Sequence, residues 1–111
     1  MGYIKHDAIV VTSFGERYLE PARRKADALG LPVTEIVTSH TNGYVSFLIA
    51  PDGSKEGWDA SDAGDVARAS WKEWAHEQRK SEDLFIDWVH LSYAGDEVDD
   101  TYIVESHKED E

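Results

Sequence analysis

Five histidines, His6, His40, His76, His90 and His107, are the side chains of this 111-residue chain best suited to moving a proton near neutral pH. None stands one helical turn from another, the paired spacing of metalloprotease-type zinc sites. His90 follows Asp87 by three residues in a strand-like segment, and His40 sits one residue from a predicted hairpin tip, on its core side. His40 or His90 with Asp87 would make an acid–base pair. No nucleophile or ligand set accompanies them, so the competing reading is that of satisfied polar residues at sheet edges. Ser13 lies between a predicted strand and a predicted helix, where a nucleophile elbow sits. The flanking glycines of that motif are misplaced, with Val11 on one side and Gly15 two residues on. Ser13 and Glu16 fit a capping box instead.

The segment from Asp52 to Gly57 mimics the first half of a calcium loop, with oxygen donors at positions one, three and five and glycine at six. Its twelfth position is Ala63 where a bidentate glutamate belongs, and a strand precedes it where a helix belongs, so no metal is assigned. There is no cysteine, which rules out disulfides and thiolate chemistry. No cofactor motif is present.

These groups are positioned by a regular series of short elements. Residues 7–12 form a β-branched run that reads as a strand buried on both faces. A helix to about residue 29 follows, with a kink or a restart at Pro21 and a stop at Gly30. Residues 33–41 and 44–50 flank Asn42-Gly43, which predicts a type I′ hairpin pairing Thr41 with Tyr44, Thr38 with Phe47 and Ile36 with Ile49. Ile36, Thr38, His40, Val45, Phe47 and Ile49 then take the core face, and the other face is open. An acidic loop leads to a helix capped by Ser61. Val66, Ala67, Ser70, Trp71, Trp74 and Ala75 make its apolar stripe, and Arg68, Lys72, Glu73, His76, Glu77 and Arg79 its solvent side. Strands over 84–93 and 101–105 follow. Residues 1–107 read as one domain and 108–111 as a charged tail.

This order predicts an α+β, ferredoxin-like βαββαβ two-layer sandwich with an extra C-terminal strand, a mainly antiparallel sheet and both helices on one face. The first and third strands are expected in the middle, with the fifth pairing the fourth.

The net charge of −12 is unevenly placed. Residues 1–50 carry five acids and five bases, and residues 51–111 the other eighteen acids against six bases. Such a field repels nucleic acid and anionic membrane and attracts basic partners. It also argues against base stacking on the open sheet, because such modules need a basic footprint. No segment approaches the roughly 20 apolar residues of a membrane span. The first residues lack a cationic flank with an apolar stretch behind it, so no secretory signal is expected and the cytoplasm is the expected compartment.

The stretch Asn42-Gly-Tyr-Val-Ser-Phe-Leu-Ile-Ala-Pro-Asp-Gly-Ser-Lys-Glu-Gly-Trp58, with Ser61-Asp-Ala-Gly-Asp65 and Trp71-Lys-Glu-Trp74, resembles small acidic proteins encoded by tailed bacteriophages. The resemblance covers most of the chain in layout and carries no functional residue. It implies an accessory protein that binds and disables a component of the host cytoplasm.

The leading expectation is a non-catalytic binding protein whose acidic second half engages a basic surface, such as the nucleic-acid site of a host protein. The residues assigned to it are Asp52, Glu56, Trp58, Asp59 and Asp62, with Asp96, Glu97, Asp99 and Asp100 in the last hairpin. The alternatives are a binder of small, nucleotide-like ligands using Tyr44, Ser46, His90 and Tyr93 on the open face or at a dimer interface, and a small enzyme using the His/Asp pair. A homodimer through a strand edge or the open face is compatible with each.

Overall fold

The computed structural model describes residues 5–53, 59–81, 84–94 and 101–110. They form an α+β arrangement of five antiparallel strands and two helices. The strands are β1 (Lys5–Ser13), β2 (Val37–Thr38), β3 (Val45–Ile49), β4 (Asp87–Ala94) and β5 (Tyr102–Ser106). The helices are α1 (Glu16–Ala28) and α2 (Asp59–Lys80), and a 3-10 turn, His107–Asp110, ends the described chain. The sheet order is β2-β3-β1-β4-β5. Among the described residues no helix is long and apolar enough to cross a membrane.

Alternation along the strands sorts the sheet into two faces. Ile9 and Val11 of β1, Val45, Phe47 and Ile49 of β3 and Trp88 of β4 join one buried cluster with Leu19, Ala22, Ala26, Trp71 and Ala75. Both helices therefore cover the same face. Each of the larger side chains contributes about 1.5–3 kcal/mol by leaving water. β1 was expected to be buried on both faces, but Val10 is exposed on the side that carries no helix.

The predicted hairpin is corrected in register and length. Thr38 faces Val45, and Val37 faces Ser46. The link is a longer loop closed by the Ser39 N–H donating to Tyr44 O at 2.7 Å. The Asn42 side chain accepts the Tyr44 N–H at 3.0 Å, which replaces the two-residue turn by an Asx-type turn. Gly43 still takes the positive φ, at 75°. A slip of two residues preserves the alternation of β3, so Val45, Phe47 and Ile49 remain in the core, whereas both residues of β2 are exposed, including Thr38, which was expected inside. Upstream, the Thr34 hydroxyl accepts the Leu48 N–H at 2.9 Å and supplants a ladder carbonyl. Of the upstream part of the long strand expected there, the Val33–Ile49 bridge remains, with the Thr34 N–H donating to Leu48 O at 3.0 Å.

The capping box is also overturned. Ser13 is still in β1, and its hydroxyl donates to Phe85 O at 2.6 Å, so Gly15 is the N-cap of α1 and makes no side-chain cap. The helix does not restart at Pro21, which lies within it. Its end follows the expectation at Gly30 (φ 82°). Gly30 N–H donates to Asp27 O at 2.9 Å and Leu31 N–H to Ala26 O at 3.0 Å, the double bond of a Schellman motif.

Helix α2 begins at Asp59, so Ser61 lies inside it and is not its cap. Its buried face is rotated from the predicted stripe. Trp71 and Ala75 are fully buried, but Val66 is 67 % exposed and Arg68 is only 4 % exposed. Trp71 also donates its indole N–H to Ala22 O at 3.0 Å, tying α2 to α1.

Candidate functional site

The inward side of α2 carries Arg68, Lys72 and His76, at successive four-residue steps that place them on one helix face. That face lies over acids from distant parts of the chain. Arg68 reaches Asp52 at 3.5 Å and Asp7 at 3.9 Å, and bonds Asp65 one turn back on its own helix. Lys72 reaches Glu105 of β5 at 3.0 Å, and His76 meets the same carboxylate at 2.6 Å.

His90 links the two groups. Its Nδ1 lies 2.8 Å from Lys72 Nζ and its Nε2 3.0 Å from Asp7 Oδ1. An ammonium only donates, so Nδ1 accepts and Nε2 carries the hydrogen given to Asp7. At 5 % exposure the ring has both nitrogens engaged inside the protein. Burial alone raises the Glu105 carboxyl. The His76 and Lys72 hydrogen bonds, with the Lys72 charge, outweigh burial and hold it below its ordinary value. This chain of contacts fastens α2 to β1, β4 and β5. It has no nitrogen turned to solvent at His90 for general base chemistry.

The outward side of α2 is the opposite in sign. Asp59, Asp62, Asp65, Glu73 and Glu77 are all exposed. The helix holds nearly as many bases as acids, but Arg68, Lys72 and Arg79 have side chains 5 %, 12 % and 23 % exposed. Folding thus withdraws three of the four cations and leaves the carboxylates and Lys80 at the surface. A groove of about 570 Å³ lies between α2 and Glu105, lined by Lys72 and His76 of the polar stripe together with Glu73, Glu77 and Lys80.

Of the residues assigned to the acidic surface, Asp59 and Asp62 stand exposed on the first turn of α2, while Asp52 is turned toward Arg68. Glu56, Trp58, Asp96, Glu97, Asp99 and Asp100 lie outside the described residues. The alternative ligand set is divided. Ser46 bonds the Thr12 hydroxyl at 2.8 Å and Tyr93 packs on His6 at 5.3 Å, both on the open face. Tyr44 borders a notch of about 230 Å³ with Phe14, Phe85 and Asp87. His90 points to the helix-covered face and belongs to none of these.

The proposed His/Asp pairings are not formed. His40 is exposed in the β2–β3 loop, not on the core side. Asp87 meets His107 at 3.3 Å, whereas His90 meets Asp7. Among the described residues no group of three histidines or acids gathers where a metal ion would fit.

The polar stripe was visible in sequence as the basic spacing 68, 72, 76 within the acid-rich half. Spacing alone places it in solvent, because its acidic partners Asp7 and Glu105 are far away along the chain. No known protein family, curated protein or solved structure matches this chain.

Proposed function

We propose that this protein is a non-catalytic binding protein that engages a basic protein surface through carboxylates of its second half. The observation that carries the reading is the segregation of charge on α2. Arg68 and Lys72 are drawn inward onto Asp7, Asp52 and Glu105, and Asp59, Asp62, Glu73 and Glu77 are left to face solvent with Lys80. An anionic helix face steers and orients a basic partner. The histidines able to do proton chemistry are better explained as ties between helix and sheet.

The resemblance to small acidic phage proteins supports a nucleic-acid-binding host protein as the partner class, met in the host cytoplasm. The element order and the common face of the two helices support reading the fold as ferredoxin-like, with β5 as an added edge strand and β2 shortened.

The test is a pull-down from host lysate with the tagged protein, washed at low and then at high salt. A nucleic-acid-binding protein released by salt is expected. The quadruple variant Asp59→Lys, Asp62→Lys, Glu73→Lys, Glu77→Lys should fold and lose that partner. Retention of the partner by the folded variant sinks the reading.

A further inference from the structure

Three strand ends meet at one corner of the sheet. β1 runs out at Ser13, which faces Val45 at the start of β3, and Thr12 faces Asp87 at the start of β4. This register brings Tyr44, Thr12 and Asp87 to the notch of about 230 Å³. The turn after β1 adds Phe14 to its lining, and the segment before β4 adds Phe85.

Phe14, Phe85 and Tyr44 are 54 %, 49 % and 43 % exposed, three rings at one opening. Large apolar side chains gathered at the surface mark contact sites. Phe14 and Phe85 stand 6.3 Å apart, and each packs on Tyr18, at 5.1 and 5.3 Å, which fixes both rings. Beside them is a carboxylate with capacity left. Asp87 Oδ1 lies 3.3 Å from His107 Nε2 and 3.9 Å from Arg79 Nη1, whose hydrogen goes to Ile86 O at 2.7 Å. A carboxylate accepts about four hydrogen bonds, and these two long contacts leave the Asp87 side chain 68 % exposed.

We infer that this notch takes an arginine side chain of a basic partner, with its guanidinium on Asp87 and against the exposed rings. Ring faces attract cations, and a guanidinium is flat and weakly hydrated. It stacks on an aromatic ring and still gives paired hydrogen bonds to a carboxylate. The same aromatic cluster already holds one guanidinium of this chain, since Arg17 Cζ lies 4.7 Å from the centroid of Tyr18. Arg79 also lines the notch, but its hydrogen bond to Ile86 O holds it at a distance from Asp87. A nucleotide, whose phosphates meet a chain of net charge −12, fits the rings but not the field. The inference rests on the reading that the partner is basic, and adds the side chain that anchors it and a place other than Asp59 and Asp62.

The probe is a capped glycine–arginine–glycine peptide, titrated into the full chain and followed by backbone amide NMR. Shifts centred on Phe14, Tyr44, Phe85 and Asp87 are expected. The same peptide with citrulline keeps the shape of the side chain and loses its charge, and should bind at least about tenfold more weakly. A lysine peptide keeps the charge and loses the flat, forked head, and should bind at least about threefold more weakly. These comparisons leave the protein unaltered. In the protein, Asp87→Asn and Phe14→Ala should each weaken arginine binding by about fivefold or more. Equal binding of the arginine and citrulline peptides, or shifts centred on Asp59 and Asp62, overturns the notch and leaves the acidic-surface reading intact. Equal binding of arginine and lysine peptides, or no binding of the arginine peptide at millimolar concentration, also overturns the inference. Arginine binding at the notch together with a blank lysate pull-down would tell against the broader reading alone.

Discussion

The Asp52 carboxylate reaches the Arg68 guanidinium at 3.5 Å by passing over Gly64, the glycine inside α2. A Cβ on Gly64 would run into Asp52 Oδ2 and approach Arg68 Nη1 at 3.3 Å. A mid-helix glycine ordinarily costs about 1 kcal/mol relative to alanine. Here the missing methyl admits the Asp52 carboxylate to a buried cation, and so holds Asp52 against the helix.

Gly64→Ala should therefore give little of the usual gain in stability, because Asp52 must swing off Arg68. In an Asp52→Ala background the same substitution should stabilise by about 1 kcal/mol. Urea unfolding of the four members of the cycle measures the coupling. Additive effects would show that Asp52 does not occupy the Gly64 face.

His90→Ala takes one partner from Asp7, which keeps Arg68, and one from Lys72, which keeps Glu105, and opens a space in the buried stripe. The expected loss is about 1–3 kcal/mol, that of two hydrogen bonds to charged groups and a small cavity. His40→Ala in the exposed loop should stay within about 0.5 kcal/mol of the parent. Equal effects of the two substitutions in thermal unfolding would contradict the contrast between them.

The Glu105 carboxyl sits below its ordinary value of 4.5 in the folded protein, so the unfolded chain takes up its proton first as pH falls. The contribution of Glu105 is thus complete above the ordinary carboxylate value and fades as pH drops through the lower folded value. Glu105→Gln should destabilise by about 1–2 kcal/mol at neutral pH. It should also flatten the fall in stability below about pH 4.5. A parallel downward displacement of the whole stability–pH curve would assign that acid sensitivity to other carboxylates.

Trp71→Phe removes the indole N–H that Ala22 O accepts and leaves space between the helices. A cost of about 1–3 kcal/mol is expected. Denaturant titration followed by circular dichroism reads it without relying on the altered fluorescence. A change below about 0.5 kcal/mol would mean that the α1–α2 tie carries little.

Much of this architecture was legible locally. The run Ala8-Ile9-Val10-Val11 could only be a strand, Gly30 had to end α1, and the alternation in β3 named Val45, Phe47 and Ile49 as core. These are short-range decisions, made by sterics and by period-two or 3.6-residue patterning. The hairpin register failed because the Asn42 side chain competes with the backbone for the Tyr44 N–H, and Thr34 does the same for Leu48. Propensity tables score residue types and do not see that competition.

By itself, then, the sequence determined the class, the element order, the acid-rich second half and the end of α1 at Gly30. Tertiary structure alone decided what the charges do. Arg68, Lys72 and His76 looked like a solvent face until β1 and β5 brought Asp7 and Glu105 against them. Long stems let a cation bury its length if a distant carboxylate meets its head, and that meeting is set by chain topology and not by neighbours in sequence.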